Sequence, residues 1–195
     1  MKRIILTFSL FCIATTCKID LRQLPFPNKP TEPKSNYLNS IYLRNFTIKD
    51  LDLNDMEGPW KYTVNEFLKS HESIARSYKI LEKETLTEKQ IYIDMDLTYK
   101  FDDEFYFWYS LPIIYPIPLI WPIHIRESTY HVQLDYRIFQ DGIVLVQDHV
   151  RSEETLTLYF YGYIRPVAIE SMVYDKNLEV IEKCVKNISS KLSSL

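Results

Sequence analysis

Between Phe105 and Ile125 the chain reads FYFWYSLPIIYPIPLIWPIHI, without one formally charged residue. A helix of that length and polarity would cross a bilayer. Pro112, Pro116, Pro118 and Pro122 forbid the helix, because each removes a backbone donor and sets its ring against the carbonyl one turn earlier. The segment is therefore a connection between two sets of elements. It can fold over a sheet as part of the core, or stand exposed and dip into a membrane or dock another protein. For the second role the candidate contacts are Trp108, Tyr109, Ile113, Tyr115, Leu119 and Trp121.

The first set of elements starts with SIYLRNFTIK (Ser40–Lys49), rich in β-formers and expected as a strand, although its two faces are not cleanly apolar and polar. From Trp60 to Ile80, Val64, Phe67, Leu68, Ile74, Ala75 and Tyr78 recur at helical spacing behind Pro59, which predicts a helix. His71 falls on that stripe and reads as a half-buried histidine. A strand is expected at Lys79–Glu84. QIYIDMDLTYK then alternates strictly, with Ile91, Ile93, Met95, Leu97 and Tyr99 on one face and Tyr92, Asp94, Asp96, Thr98 and Lys100 on the other. Asp94 and Asp96 point the same way, but no third oxygen ligand or partner acid stands at useful spacing, so they read as a solvated face.

Beyond the apolar segment, STYHVQLDYRIFQDGIVLVQDHVR reads as a hairpin about Asp141-Gly142. A three-residue loop, Gln140–Gly142 with Gly142 left-handed, pairs Ile138 with Val144, Tyr136 with Val146 and Val132 with Val150, and keeps the apolar face together. His131, Asp135 and Arg137 then share the exposed face, where cross-strand pairing is expected. TLTLYFYGY is either a loop or a short edge strand. From Pro166 to Leu192, Val173, Val180, Ile181, Cys184, Val185, Ile188 and Leu192 recur at helical intervals, read as two helices broken near Asp175. The last helix should pack on the sheet with Cys184 buried.

These elements predict an α+β fold, a small mixed or antiparallel sheet of about five strands packed against two or three helices. The order is β-α-β-β-(apolar insertion)-β-β-α, in a single domain spanning residues 39–195. Lys and Arg total 23 against 26 acids, with no long basic run, so nucleic acid is not an expected partner. The 3 glycines, Gly58, Gly142 and Gly162, form no phosphate-binding loop. No Ser-His-Asp set or nucleophile elbow can be assembled, and His124, His131 and His149 lack zinc spacing. No catalytic residue, metal site or cofactor is predicted.

The N-terminus carries Lys2 and Arg3 ahead of the apolar run IILTFSLFCIA, too short to span a bilayer, and reads as a signal peptide over residues 1–16. Ala14, Thr15, Thr16 and Cys17 resemble a lipobox, at which the cysteine thiol is alkylated with diacylglycerol and the chain is cut before it. The departures are the absence of Leu at the first position and of a small Gly, Ala or Ser before the cysteine. Spirochaete lipoproteins tolerate both, and the Ile-, Lys-, Asn- and Tyr-rich, Gly-poor composition looks like a leptospiral protein. Cys17 could instead be an incidental thiol past a conventional cut, or pair with Cys184.

Pro25, Pro27, Pro30 and Pro33 follow in a polar setting, favouring an extended, semi-rigid tether over residues 17–38. Loss of Lys2 and Arg3 takes the formal charge from −3 to about −5. The element order is similar to the N-terminal domain of TolB and to the curli-secretion lipoprotein CsgG. The resemblance is one of topology and carries no functional residue across. Together with the leader, the lipobox-like Cys17 and the tether, it points to a lipid-anchored envelope protein of non-catalytic type, an interaction or accessory component of an assembly or transport complex, in the outer membrane. Its partners would be the membrane, an envelope protein or a second copy. The competing class is a secreted or periplasmic hydrolase or small-ligand carrier.

Overall fold

The computed structural model describes residues 19–27, 40–49, 55–70, 76–79, 91–106, 123–160 and 164–192. Its elements run β1 (Ser40–Ile48), α1 (Glu57–Ser70), β2 (Arg76–Lys79), β3 (Ile91–Phe105), β4 (Ile123–Gln140), β5 (Ile143–Phe160) and α2 (Ile164–Leu192). The chain is a small α+β fold with a mixed open sheet. Four long strands stand in the order β1-β3-β4-β5, and the four-residue β2 flanks β1.

By contacts the described residues fall into two compact units, one comprising residues 19–23, 101–106, 123–130, 154–160 and 164–173 and the other residues 24–27, 40–49, 55–70, 76–79, 91–100, 131–153 and 174–192. In the second, β1 pairs in parallel with both β2 and β3. Its register with β3 shifts between Leu43 and Asn45, so the buried positions change from Ile41 and Leu43 to Phe46 and Ile48. This β-bulge explains why β1 shows no clean alternation. β3 buries its expected apolar face through Ile91, Ile93, Met95 and Leu97, but Tyr92 and Asp94, expected on the wet face, are buried as well.

Helix α1 stops at Ser70, whose hydroxyl donates to the Phe67 carbonyl at 2.8 Å. Its buried stripe is Trp60, Thr63, Val64, Phe67 and Leu68, and Trp60 stacks on Phe46 with centroids 6.2 Å apart. The helical spacing read on to Tyr78 does not hold: Arg76–Lys79 is strand, because parallel pairing with β1 overrides the local pattern. Of the strand expected at Lys79–Glu84 only Lys79 is described, as the last residue of β2; residues 80–90 and His71 fall outside the described residues.

The C-terminal segment is one helix of 29 residues, not two broken near Asp175. Asp175 is exposed, and the buried stripe continues past it through Asn177, a polar residue at 0% exposure that interrupts the apolar pattern only in sequence. Ile169, Val173, Val180, Ile181, Cys184, Val185 and Ile188 complete the stripe. Cys184 is a free, buried thiol whose burial holds it protonated. TLTLYF belongs to β5, which runs on to Phe160.

The hairpin turn also differs from expectation. Asp141 (φ 52) and Gly142 (φ 78) are both left-handed, giving a two-residue loop whose twist matches that of the strands. Such a loop alone would set Thr129 opposite Glu154 and His131 opposite Ser152. Instead Thr129 meets Thr155 (3.0 Å) and His131 meets Glu153 (3.1 Å), so β5 absorbs one extra residue near the turn. Ile143, Val144 and Leu145 are all exposed there, and the pairing of Ile138 with Val144 is replaced.

In the first unit, the Asp103 carboxylate accepts from Arg126 (2.7 Å), Arg165 of the first turn of α2 (2.6 Å) and Ser128 (2.9 Å). Tyr106 donates its amide to the Ile125 carbonyl at 3.1 Å, closing the β3–β4 pair.

Candidate functional site

In the second unit both helices cover one face of the sheet: Trp60 stacks on Phe46, and Tyr136 lies buried near Cys184 of α2. Side chains of the opposite face surround an open cleft of about 490 Å³, lined by Lys49, Asp96, Asp135, Arg137, Gln147 and His149. Strands β3, β4 and β5 supply it, with the residue that follows β1. Lys49 closes β1, where its amide donates to the Leu97 carbonyl at 2.9 Å, and the Thr47–Asp96 register brings its ammonium across β3.

The charges of the cleft are interlocked. Lys49 Nζ stands 3.7 Å from Asp96 and 3.8 Å from Asp135, while Arg137 Nη2 reaches Asp96 at 3.4 Å. Thr47 donates to the other Asp96 oxygen, and Gln133 donates to Asp135 at 2.8 Å. Two carboxylates thus face two cations, and distances of 3.4–3.8 Å leave the cations room to exchange partners.

Beside the cleft, Arg44 grips Asp94 with two bonds of 2.9 and 2.5 Å while its guanidinium lies 4.6 Å from the Phe139 ring centre. Asp94 is 6% exposed, a buried ion pair where the sequence suggested a solvated face. The bond from Asp94 raises the Arg44 pKa against the opposing effect of burial. Tyr42 and Tyr92 pack next to it with centroids 5.7 Å apart.

Of the residues singled out in sequence, Asp96, Asp135 and Arg137 meet in the cleft, whereas His131 pairs with Glu153. Cys17 lies outside the described residues, as do Trp108, Tyr109, Ile113, Tyr115, Leu119 and Trp121. Lys49, Gln147 and His149 were not foreseen. Only the parallel β1–β3 register brings Lys49 in, and only the extra residue of β5 sets His149 opposite Asp135. Among the described residues no group of three or more His, Cys, Asp or Glu side chains could hold a metal. No described helix is long and apolar enough to cross a membrane.

No curated protein matches the chain. Solved structures do match at low identity. A neuraminyllactose-binding hemagglutinin homolog from Helicobacter pylori is 12% identical, with 91% of this chain and 99% of that one covered at a TM-score of 0.48. A Xanthomonas campestris protein of the family DUF330 is 9% identical over 88% and 97%, at a TM-score of 0.45. A minor lipoprotein from Acinetobacter baumannii is 10% identical over 77% and 93%, at 0.31. A protein-family model matches residues 5–189, and over that span the chain belongs to its family.

Proposed function

We propose that the protein is a lipid-anchored component of a bacterial cell envelope, set in the outer membrane and working by contact rather than catalysis. Cys17 carries the reading: a positive start, a short apolar run and a lipobox-like ATTC lead to it. Three acyl chains on a mature lipoprotein would hold it firmly where one would not. The paired charges of the cleft support a recognition role, since each carboxylate there is held by a cation or donor. Phe105–Ile125 is the proposed contact with a membrane or an envelope partner. Metabolic labelling with fatty acid, in wild type and Cys17→Ala, tests the anchor; equal absence of label in both overturns it.

A small-ligand carrier is the second reading, favoured by the cleft volume of about 490 Å³, which lies in the range of ligand pockets. A thermal-shift screen of small polar metabolites, on wild type and Arg137→Ala, separates the two. A ligand whose stabilisation vanishes in the variant would favour the carrier.

A further inference from the structure

The proline-rich stretch after Cys17 is expected to hold the domain away from the membrane, yet its first described residues lie against the protein. The amide of Asp20 donates to Glu170 Oε1 of α2 at 3.1 Å. The Asp20 carboxylate accepts from the Arg22 amide at 2.9 Å, and its carbonyl accepts from Gln23 Nε2 at 3.2 Å, so the segment is locked into a local turn. Ile19, Leu21 and Gln23 are half-buried. These contacts all fall within the first compact unit.

The geometry points to a membrane-facing surface on the N-terminal half of α2, around Val167, Glu170 and Ser171. The inference rests on the proposed lipid at Cys17. Three residue steps separate Cys17 from Asp20, and a fully extended chain spans about 3.3–3.6 Å per residue, so Asp20 would stand within about 10 Å of the lipidated sulfur's backbone. The whole expected spacer, residues 17–38, could have reached roughly 70 Å by the same measure. Docked at Asp20, it is a short leash. Val167 lies one turn before both Glu170 (i, i+3) and Ser171 (i, i+4), and Val167 and Ser171 are exposed, Val167 at 45%. The occupant of this surface is the headgroup layer of the bilayer that holds the acyl chains of Cys17. An apolar Val167 beside it suits that layer.

Full-length, lipidated protein carrying an environment-sensitive fluorophore at Val167→Cys or Ser171→Cys, in phosphatidylethanolamine/phosphatidylglycerol vesicles, tests the inference. Cys184 is buried and does not compete for the label. Lipids spin-labelled near the headgroup should quench both positions at least two-fold. A flexible ten-residue Gly/Ser insertion between Lys18 and Ile19 should abolish the quenching while the protein still floats with the vesicles. Flotation without quenching at either position, or quenching indifferent to the insertion, overturns the leash and leaves the lipoprotein reading standing. Protein that neither takes up fatty acid nor floats overturns both.

Discussion

The Tyr136 hydroxyl is a sharp test of how the core of this fold is satisfied. Tyr136 is 0% exposed, and no hydrogen bond of ordinary geometry reaches its oxygen, although the charge of Asp148 acts on it. A buried hydroxyl without a partner costs about 1–3 kcal/mol, and Phe keeps the ring while removing it. Tyr136→Phe should therefore stabilise the mature, unlipidated Cys17→Ser chain by about 1 kcal/mol, or about 2–4 °C in Tm for a chain of this size. Urea unfolding should show a higher midpoint at unchanged slope. The alkaline limb gives a second readout. Burial first, then the charge of Asp148, raises the Tyr136 pKa above its ordinary value, so the folded chain keeps a proton that the unfolded chain releases above about pH 10. Stability then falls as pH rises past that point in the parent and should fall less in the variant. A loss of about 1.5–3 kcal/mol in Tyr136→Phe at neutral pH would refute the reasoning, because that is the loss expected if the hydroxyl donates to a carboxylate such as Asp148.

Three further perturbations follow from specific contacts. Arg44→Ala strands the Asp94 carboxylate at 8% side-chain exposure and should cost about 2–4 kcal/mol, more than Asp94→Asn, which leaves a 35% exposed guanidinium able to reach water; a double-mutant cycle by urea unfolding should show coupling above about 1 kcal/mol. Glu179 accepts from Lys176, Lys183 and Ser152, which lower its pKa to about 2. Its stabilising contribution is present above the ordinary carboxylate value and lost as pH falls toward 2, so acid unfolding of Glu179→Gln should be flatter between about pH 4 and 2. Gly142→Ala should cost about 1 kcal/mol in thermal melts from its φ of 78 alone, since an added Cβ would meet nothing within 4 Å.

What was legible in the sequence was local. The apolar face of β3 and the place of the turn at Asp141-Gly142 were readable, because side-chain period and turn residues are properties of neighbours; the loop length and the pairing it sets were not. The unbroken α2 was not, because Asn177 is buried where the stripe asks for an apolar side chain. β2 was missed as a strand over Arg76–Lys79 because four residues carry no period, and their state is decided by β1. The burial of Asp94 was equally hidden: its partner Arg44 lies 50 residues away on a parallel neighbour, and nothing around Asp94 distinguishes a paired carboxylate from a solvated one.

The cleft depends on the same kind of nonlocal choice, made at the bulge in β1. Before it, Ile41 and Leu43 face the helices; after it, Phe46 and Ile48 do, and Thr47 and Lys49 turn toward Asp96. Deleting Asn45 would restore plain alternation: Ile41, Leu43, Phe46 and Ile48 would stand on one face opposite Ile91, Ile93, Met95 and Leu97, with Tyr42, Arg44, Thr47 and Lys49 on the other. No large apolar side chain then changes face, so the deletion should cost no more than about 1–2 kcal/mol in urea unfolding, from contacts of the bulge itself such as the bond of 2.6 Å that Lys61 donates to the Arg44 carbonyl. The coupling between Lys49 and Asp96, measured by a double-mutant cycle, should persist. A loss of more than about 3 kcal/mol, or loss of that coupling, would show that removing the bulge forces β1 out of register and exposes Phe46 and Ile48.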